Sequence, residues 1–145
     1  MMFWLILMII VFNRIIFHTP LPEKLLPTLF ILIAPPAVGF MAYVKLTGSL
    51  DAFAQILFNF ALFLTILLLS QLPRFARLPF FMSWWAYSFP LAAVSIATLV
   101  MYQKTQNIVF SVLGMGLFII LTLFIIMLII KTIKAVLHKK ICLPE

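Results

Sequence analysis

The chain has 145 residues, of which 66% are hydrophobic and 9% are charged, and its mean hydropathy is +1.29. Soluble domains carry about 25% charged residues, so this composition excludes a soluble protein and indicates a membrane protein. The net charge is +7, but the basic residues are dispersed between hydrophobic runs, whereas nucleic-acid binding requires a clustered basic face. The single cysteine, Cys142, excludes an internal disulfide and any paired-cysteine metal site.

Five hydrophobic stretches follow one another along the chain. The first, residues 2–11, is about half a span unless it extends past Arg14 to Phe17. The other four are long enough to cross the hydrocarbon core as helices, and they cover residues 25–44, 52–72, 80–102 and 108–130. Helices are favoured because every backbone polar group must be paired within the bilayer. The sequence therefore predicts an all-α, polytopic transmembrane helix bundle that forms one domain over residues 1–145.

Proline divides these spans into two kinds. The second span carries Pro35, Pro36 and Gly39 near its middle, and the fourth carries Pro90 among small residues, whereas the third and fifth contain no proline. An interior proline removes a backbone donor and clashes with the carbonyl four residues earlier. We therefore expect the second and fourth helices to be kinked.

The kinks release specific backbone acceptors. The prolines of the second span free the carbonyls of Ile31 and Leu32, and the proline of the fourth span frees that of Ala86. Freed carbonyls are tolerable against neighbouring helices, ordered water or a cavity, but not against lipid. This predicts inner second and fourth helices and outer third and fifth helices. Two interpretations stay open: simple helix packing, or a broken-helix site whose helix N-termini favour anions.

Ionisable groups are missing from the centres of spans two to five. The mid-membrane polar groups are hydroxyls and amides instead: Ser83, Ser88, Ser95, Thr98, Gln55 and Asn59. A proton- or cation-coupled carrier usually needs intramembrane carboxylates, and an enzyme needs a nucleophile–base pair or metal ligands. The pattern predicts no enzyme, cofactor or metal site, and it favours a neutral, proline-kinked pore.

The basic residues predict how the chain crosses the membrane. Lys45 and Lys104 lie on one side, and eight basic residues lie on the other: Arg14, Lys24, Arg74, Arg77, Lys131, Lys134, Lys139 and Lys140. The positive-inside rule places the eight in the cytoplasm. We therefore expect an integral protein of the cell (inner or plasma) membrane, with residues 131–145 as a short basic cytoplasmic tail near anionic lipid head groups.

Two segments resemble a known family. Residues 83–90 read SWWAYSFP and are followed by LAAVSIAT, and residues 29–40 read LFILIAPPAVGF. These segments resemble the penultimate and seventh helices of the tellurite-resistance/dicarboxylate transporter family, which includes the plant guard-cell slow anion channels. The tryptophan pair, the aromatic residue before the proline and the small residues after it carry the resemblance.

The resemblance implies a fold, a function and a set of residues. The family has ten helices in five hairpins, with kinked odd-numbered helices around a pore, and this chain is similar to helices six to ten. It implies transport of small anions, namely monovalent anions, dicarboxylates or oxyanions, in a homotrimer with one pore per subunit. Carried over residue by residue, the gate falls on Phe89, with the pore or kink at Pro35, Pro36, Gly39, Ala86, Pro90 and Ala93.

The resemblance covers nearly the whole chain but only half of the family's length. Five helices cannot close a ring of five hairpins, so we expect a C-terminal half that acts with a complementary N-terminal half. The alternative is a truncated or accessory membrane protein that packs with other helices and does not transport alone.

Overall fold

A computed structural model describes residues 2–17, 23–71 and 80–137. Within these ranges every regular element is helical. The elements are α1 (Met2–Phe17), a 3₁₀ segment (Glu23–Ile33) that continues into α2 (Ala34–Thr47), α3 (Ala52–Ser70), a second 3₁₀ segment (Met82–Tyr87) that continues into α4 (Ser88–Thr105), and α5 (Ile108–Leu137).

The described helices confirm the predicted fold class. Four are long and apolar enough to cross a membrane, Thr28–Thr47, Ala52–Ser70, Met82–Thr105 and Ile108–Leu137, and Phe3–Arg14 is a shorter apolar helix. The first helix does pass Arg14 and reaches Phe17. The last helix is longer than predicted, since it runs through Lys131 and Lys134 to Leu137. The loop at 73–79 and the residues from 138 onward, including Cys142, lie outside the described residues.

Short turns join α2 to α3 and α4 to α5. Gly48 ends α2 in a left-handed conformation with φ +71°, and its N–H donates to the carbonyl of Val44, a common helix stop. Asp51 then caps α3 by accepting the N–H of Ala54 at 3.0 Å. Lys104, near the end of α4, donates to the carbonyl of Gly48 at 2.7 Å. The two predicted external turns are therefore tied together.

Each proline-containing span changes from 3₁₀ to α geometry at its prolines. Pro35 and Pro36 lie in the first turn of α2 and Pro90 in the first turn of α4, where a missing N–H is least damaging. Ile33 and Tyr87, the residues just before the two α-helices, both keep right-handed helical angles. The expected kinks are thus transitions in helix type without an unwound stretch, so the α-helix N-termini are not free to receive a ligand.

Two clusters of buried residues form the core. In the first, the rings of Phe30 and Tyr87 meet edge-to-face with centroids 4.5 Å apart, which joins the two 3₁₀ segments. In the second, small residues of α2, α3 and α4 allow the helices to approach closely; its alanines are Ala37, Ala54, Ala61, Ala93 and Ala97. The two proline-containing spans therefore pack side by side.

Burial separates the fourth span from the fifth. In the most apolar window of Met82–Thr105, 56% of the residues are buried, against 22% for Ile108–Leu137, as expected for an inner and an outer helix. The second and third spans are equal at 39%. The second span is less buried than expected because one side of it has no neighbour among the described residues.

Candidate functional site

The 3₁₀ geometry provides alternative backbone donors for some of the carbonyls that proline leaves without one. In a 3₁₀ helix each carbonyl accepts from the N–H three residues later in the chain, whereas in an α-helix it accepts from the N–H four residues later. This spacing brings the N–H of Ala34 within reach of the Ile31 carbonyl and the N–H of Phe89 within reach of the Ala86 carbonyl. The second segment ends in this pattern, since the N–H of Ser88 donates to Trp85. Two of the three carbonyls that the prolines free thus have a backbone N–H within 3₁₀ reach in their own helix.

Phe89 and Pro90 are neighbours in sequence, but only one of them is buried. The Phe89 side chain is 63% exposed, while Pro90 is fully buried against the neighbouring helices. The other predicted pore residues divide in the same way. Pro36 and Ala93 are buried, and three are half-buried: Pro35, Gly39 and Ala86. The structure thus leaves Phe89 uncovered beside residues that fix the position of its helix.

Phe89 belongs to an exposed stripe along the fourth span. Met82, Trp85, Phe89 and Ile96 are all exposed, and their spacings of three, four and seven residues place them on one side of a helix. We call these four residues the α4 stripe. It is apolar apart from the indole N–H of Trp85. The second span has a matching exposed set at Ile31, Val38 and Ala42.

The hydroxyls of α4 do not line the exposed stripe. Ser95 and Thr98 are buried, and each donates to the carbonyl four residues earlier in its own helix, at 2.7 Å and 2.8 Å. Ser88 likewise donates to the carbonyl of Trp85. These hydroxyls are satisfied within the helix, so a pathway along the α4 stripe would have an apolar wall.

Both tryptophans before the predicted gate are anchored on α5. The ammonium group of Lys131 lies 4.4 Å from the centre of the Trp84 ring, in a cation–π contact. The indole N–H of Trp85 donates to the Thr132 hydroxyl at 3.1 Å. These roles do not follow from the sequence, because Lys131 and Thr132 come directly after the apolar run and are predicted to begin the basic tail. The helical length of α5 brings them level with the tryptophan pair.

The sequence is similar to those of known proteins. The family model described as "Voltage-dependent anion channel" matches residues 1–133. The chain belongs to the voltage-dependent anion channel family. It is 32% identical over 130 residues to the S-type anion channel SLAH3 of Arabidopsis thaliana, a match that covers 90% of this chain and 20% of that protein.

Two further relatives widen the comparison. The guard cell S-type anion channel SLAC1 of Arabidopsis thaliana is 27% identical over 130 residues, covering 90% of this chain and 23% of that protein. An uncharacterized transporter of Methanocaldococcus jannaschii is 30% identical over 145 residues, covering 92% of this chain and 42% of that protein. The chain thus spans between about a fifth and about two fifths of the length of these family members. The predicted family resemblance is confirmed, and these relatives are channels or transporters by name and not enzymes.

Proposed function

We propose that the chain forms part of the wall of an anion-conducting pathway, with Phe89 as its gate. The observation that carries the proposal is the α4 stripe, because the most buried of the described spans leaves exposed a line of residues that includes a large ring beside a buried proline. A large apolar side chain in a narrow pore can block ions sterically and by expelling water.

The charge distribution favours anions over cations along this route. The stripe carries no carboxylate, and the basic residues Lys45 and Lys104 are exposed at the predicted external ends of the two proline-containing spans. Exposed positive charge at a pore entrance raises the local concentration of anions. The Arabidopsis relatives are named anion channels, which points in the same direction. Monovalent anions, dicarboxylates and oxyanions are the candidate substrates.

The pathway requires helices beyond those described. The exposed sets on the second and fourth spans form only part of a wall, and the relatives are more than twice as long as the matched region. We therefore include in the proposal a complementary N-terminal set of helices, and assembly as a homotrimer. The protein would lie in the inner or plasma membrane, among lipids, with its C-terminus in the cytoplasm.

Flux measurements in liposomes test this function. The chain is reconstituted alone and together with the part of the Methanocaldococcus jannaschii relative that the match does not cover, and uptake of chloride, nitrate, malate and sulfite is followed. We expect little flux from the chain alone and selective anion flux from the pair. If the pair assembles but passes no anion, the chain acts as an accessory membrane protein that only packs with other helices.

A further inference from the structure

The double proline leaves one carbonyl without any donor in its own helix. In α geometry the Leu32 carbonyl would accept from residue 36, and in 3₁₀ geometry from residue 35. Both positions are proline and have no N–H. The neighbouring Ile31 carbonyl escapes this problem because the N–H of Ala34 is within 3₁₀ reach. An unpaired carbonyl in the middle of a membrane span is strongly unfavourable.

The side chain of Trp4 supplies the missing donor. Its indole N–H donates to the Leu32 carbonyl at 3.1 Å, across 28 positions of sequence. The Trp4 side chain is 9% exposed, and its ring lies edge-to-face against Phe60 of α3, with centroids 5.5 Å apart. The indole N–H can only donate, so its polarity matches the need of a carbonyl. A contact with α3 on one side and the second span on the other fixes the ring in place.

We propose that Trp4 is a positioning residue whose indole N–H replaces the backbone donor absent from Pro35 and Pro36, and so holds the first 3₁₀-to-α transition in one geometry. Helix α1 then belongs to the same structural unit as the proline-containing spans. The hydrogen-bond part of this inference is independent of transport. Its consequence for an anion pathway rests on the proposed function.

A double-mutant cycle isolates the hydrogen bond. The variants are Trp4→Phe, which keeps an aromatic ring but removes the donor, Pro36→Ala, which restores a backbone N–H within reach of Leu32, and the two combined. We expect Trp4→Phe to lower the thermal midpoint of the purified chain by several degrees in the native background. In the Pro36→Ala background the loss should be smaller and should reflect only the lost ring area, because residue 36 now donates to the same carbonyl.

Two controls keep the cycle decisive. Trp84→Phe removes a similarly buried indole whose N–H has no hydrogen-bond partner among the described residues, so its effect comes from lost ring contacts, including the one with Lys131, and should be the same in both backgrounds. If Pro36→Ala does not fold, Pro35→Ala supplies the 3₁₀ donor instead. An equal loss from Trp4→Phe with and without the proline shows that Trp4 contributes packing only, and it overturns the inference.

A flux measurement separates this inference from the proposed function. In the reconstituted pair of chains, Trp4→Phe should change anion flux and Trp4→Phe/Pro36→Ala should change it less. Absence of flux in every variant, including the unmodified protein, contradicts the proposed function. The thermal cycle then still decides the role of Trp4.

Discussion

Gly114 of α5 lies directly against Leu99 of α4. A Cβ atom built on Gly114 would be 2.8 Å from the Leu99 Cδ2 atom and 3.4 Å from the Leu99 backbone nitrogen. Atoms at the first of these distances must move apart. The absence of a side chain at Gly114 therefore leaves room for the Leu99 side chain between the last two spans, as small residues do in membrane helices generally.

Replacing this glycine should weaken the α4–α5 contact. We expect Gly114→Ala to destabilise the protein by about 1–3 kcal/mol, because overpacking forces neighbouring side chains and backbone to shift. Gly116→Ala is the matched control on the same helix, since nothing lies within 4 Å of its added Cβ. That change should be neutral or slightly stabilising, because alanine favours helix over glycine. Titration with a denaturing detergent measures the free energy of unfolding of the two variants, and equal values would contradict the contact.

The predicted external turn has a titratable hydrogen bond. The Tyr43 hydroxyl donates to a carboxylate oxygen of Asp51 at 2.5 Å, and the N–H of Ala54 donates to the other oxygen. Both bonds lower the pKa of Asp51 below its ordinary value of 3.8, and the bond from Tyr43 makes the larger contribution. Their contribution to stability is therefore fully present above pH 3.8 and is lost as the pH falls through the lowered pKa.

Removing one donor should move this titration in a known direction. We expect Tyr43→Phe to raise the pKa of Asp51 toward its ordinary value, so that the turn loosens at a higher pH than in the unmodified protein. Carboxyl NMR titration in micelles measures the shift. Thr47→Val is the control, because the Thr47 hydroxyl donates to the carbonyls of Tyr43 and Ser49 and not to Asp51. A Tyr43→Phe titration that coincides with that of the unmodified protein contradicts the assignment.

The charge count predicts the orientation of the chain in the membrane. Residues 45–51 and 103–106 should be external, and residues 73–79 and Cys142 cytoplasmic, because eight of the ten basic residues fall on the second side. Labelling of intact cells with a membrane-impermeant thiol reagent tests this. Cys142 should stay unlabelled, and Ser49→Cys in a Cys142→Ser background should react. Strong labelling of Cys142 from outside reverses the orientation.

Composition and proline positions are enough to predict the helix bundle and its spans. Apolar length alone locates the membrane segments, because the bilayer thickness fixes how many residues a helix needs. The proline at position 90 also fits an inner helix, since Met82–Thr105 is the most buried of the described spans. The prolines of the second span do not separate it from the third, because both are 39% buried. Local rules succeed here because lipid imposes the same requirement on every span.

Contacts between distant residues were beyond reach of the sequence reasoning. The freed Leu32 carbonyl was predictable, but its donor lies 28 positions away, and nothing in the sequence distinguishes Trp4 from other tryptophans. The need for glycine at position 114 likewise depends on the side chain of Leu99. The 3₁₀ geometry does not follow from the proline positions, because proline alone predicts a break in the helix, whereas a change from α to 3₁₀ spacing keeps backbone donors within reach of two freed carbonyls.

The gate assignment predicts that truncation of Phe89 raises conductance and leaves stability almost unchanged, whereas truncation of a buried phenylalanine lowers stability and leaves conductance unchanged. Because the Phe89 side chain is 63% exposed, its truncation should remove little packing from the described core. Phe58 of α3 is the matched control, since it is fully buried. We expect Phe58→Ala to lose about 3–5 kcal/mol of stability, as truncation of a core phenylalanine does, and to gain no conductance.

Anion conductance of the reconstituted Phe89→Ala protein tests the proposed pathway most directly. If the α4 stripe lines an anion route that the Phe89 ring blocks, conductance should rise with folding and oligomer size unchanged, and Phe89→Leu should give a smaller rise because the side chain still fills part of the space. A Phe89→Ala protein that is less stable and no more conductive than the unmodified one would contradict the account.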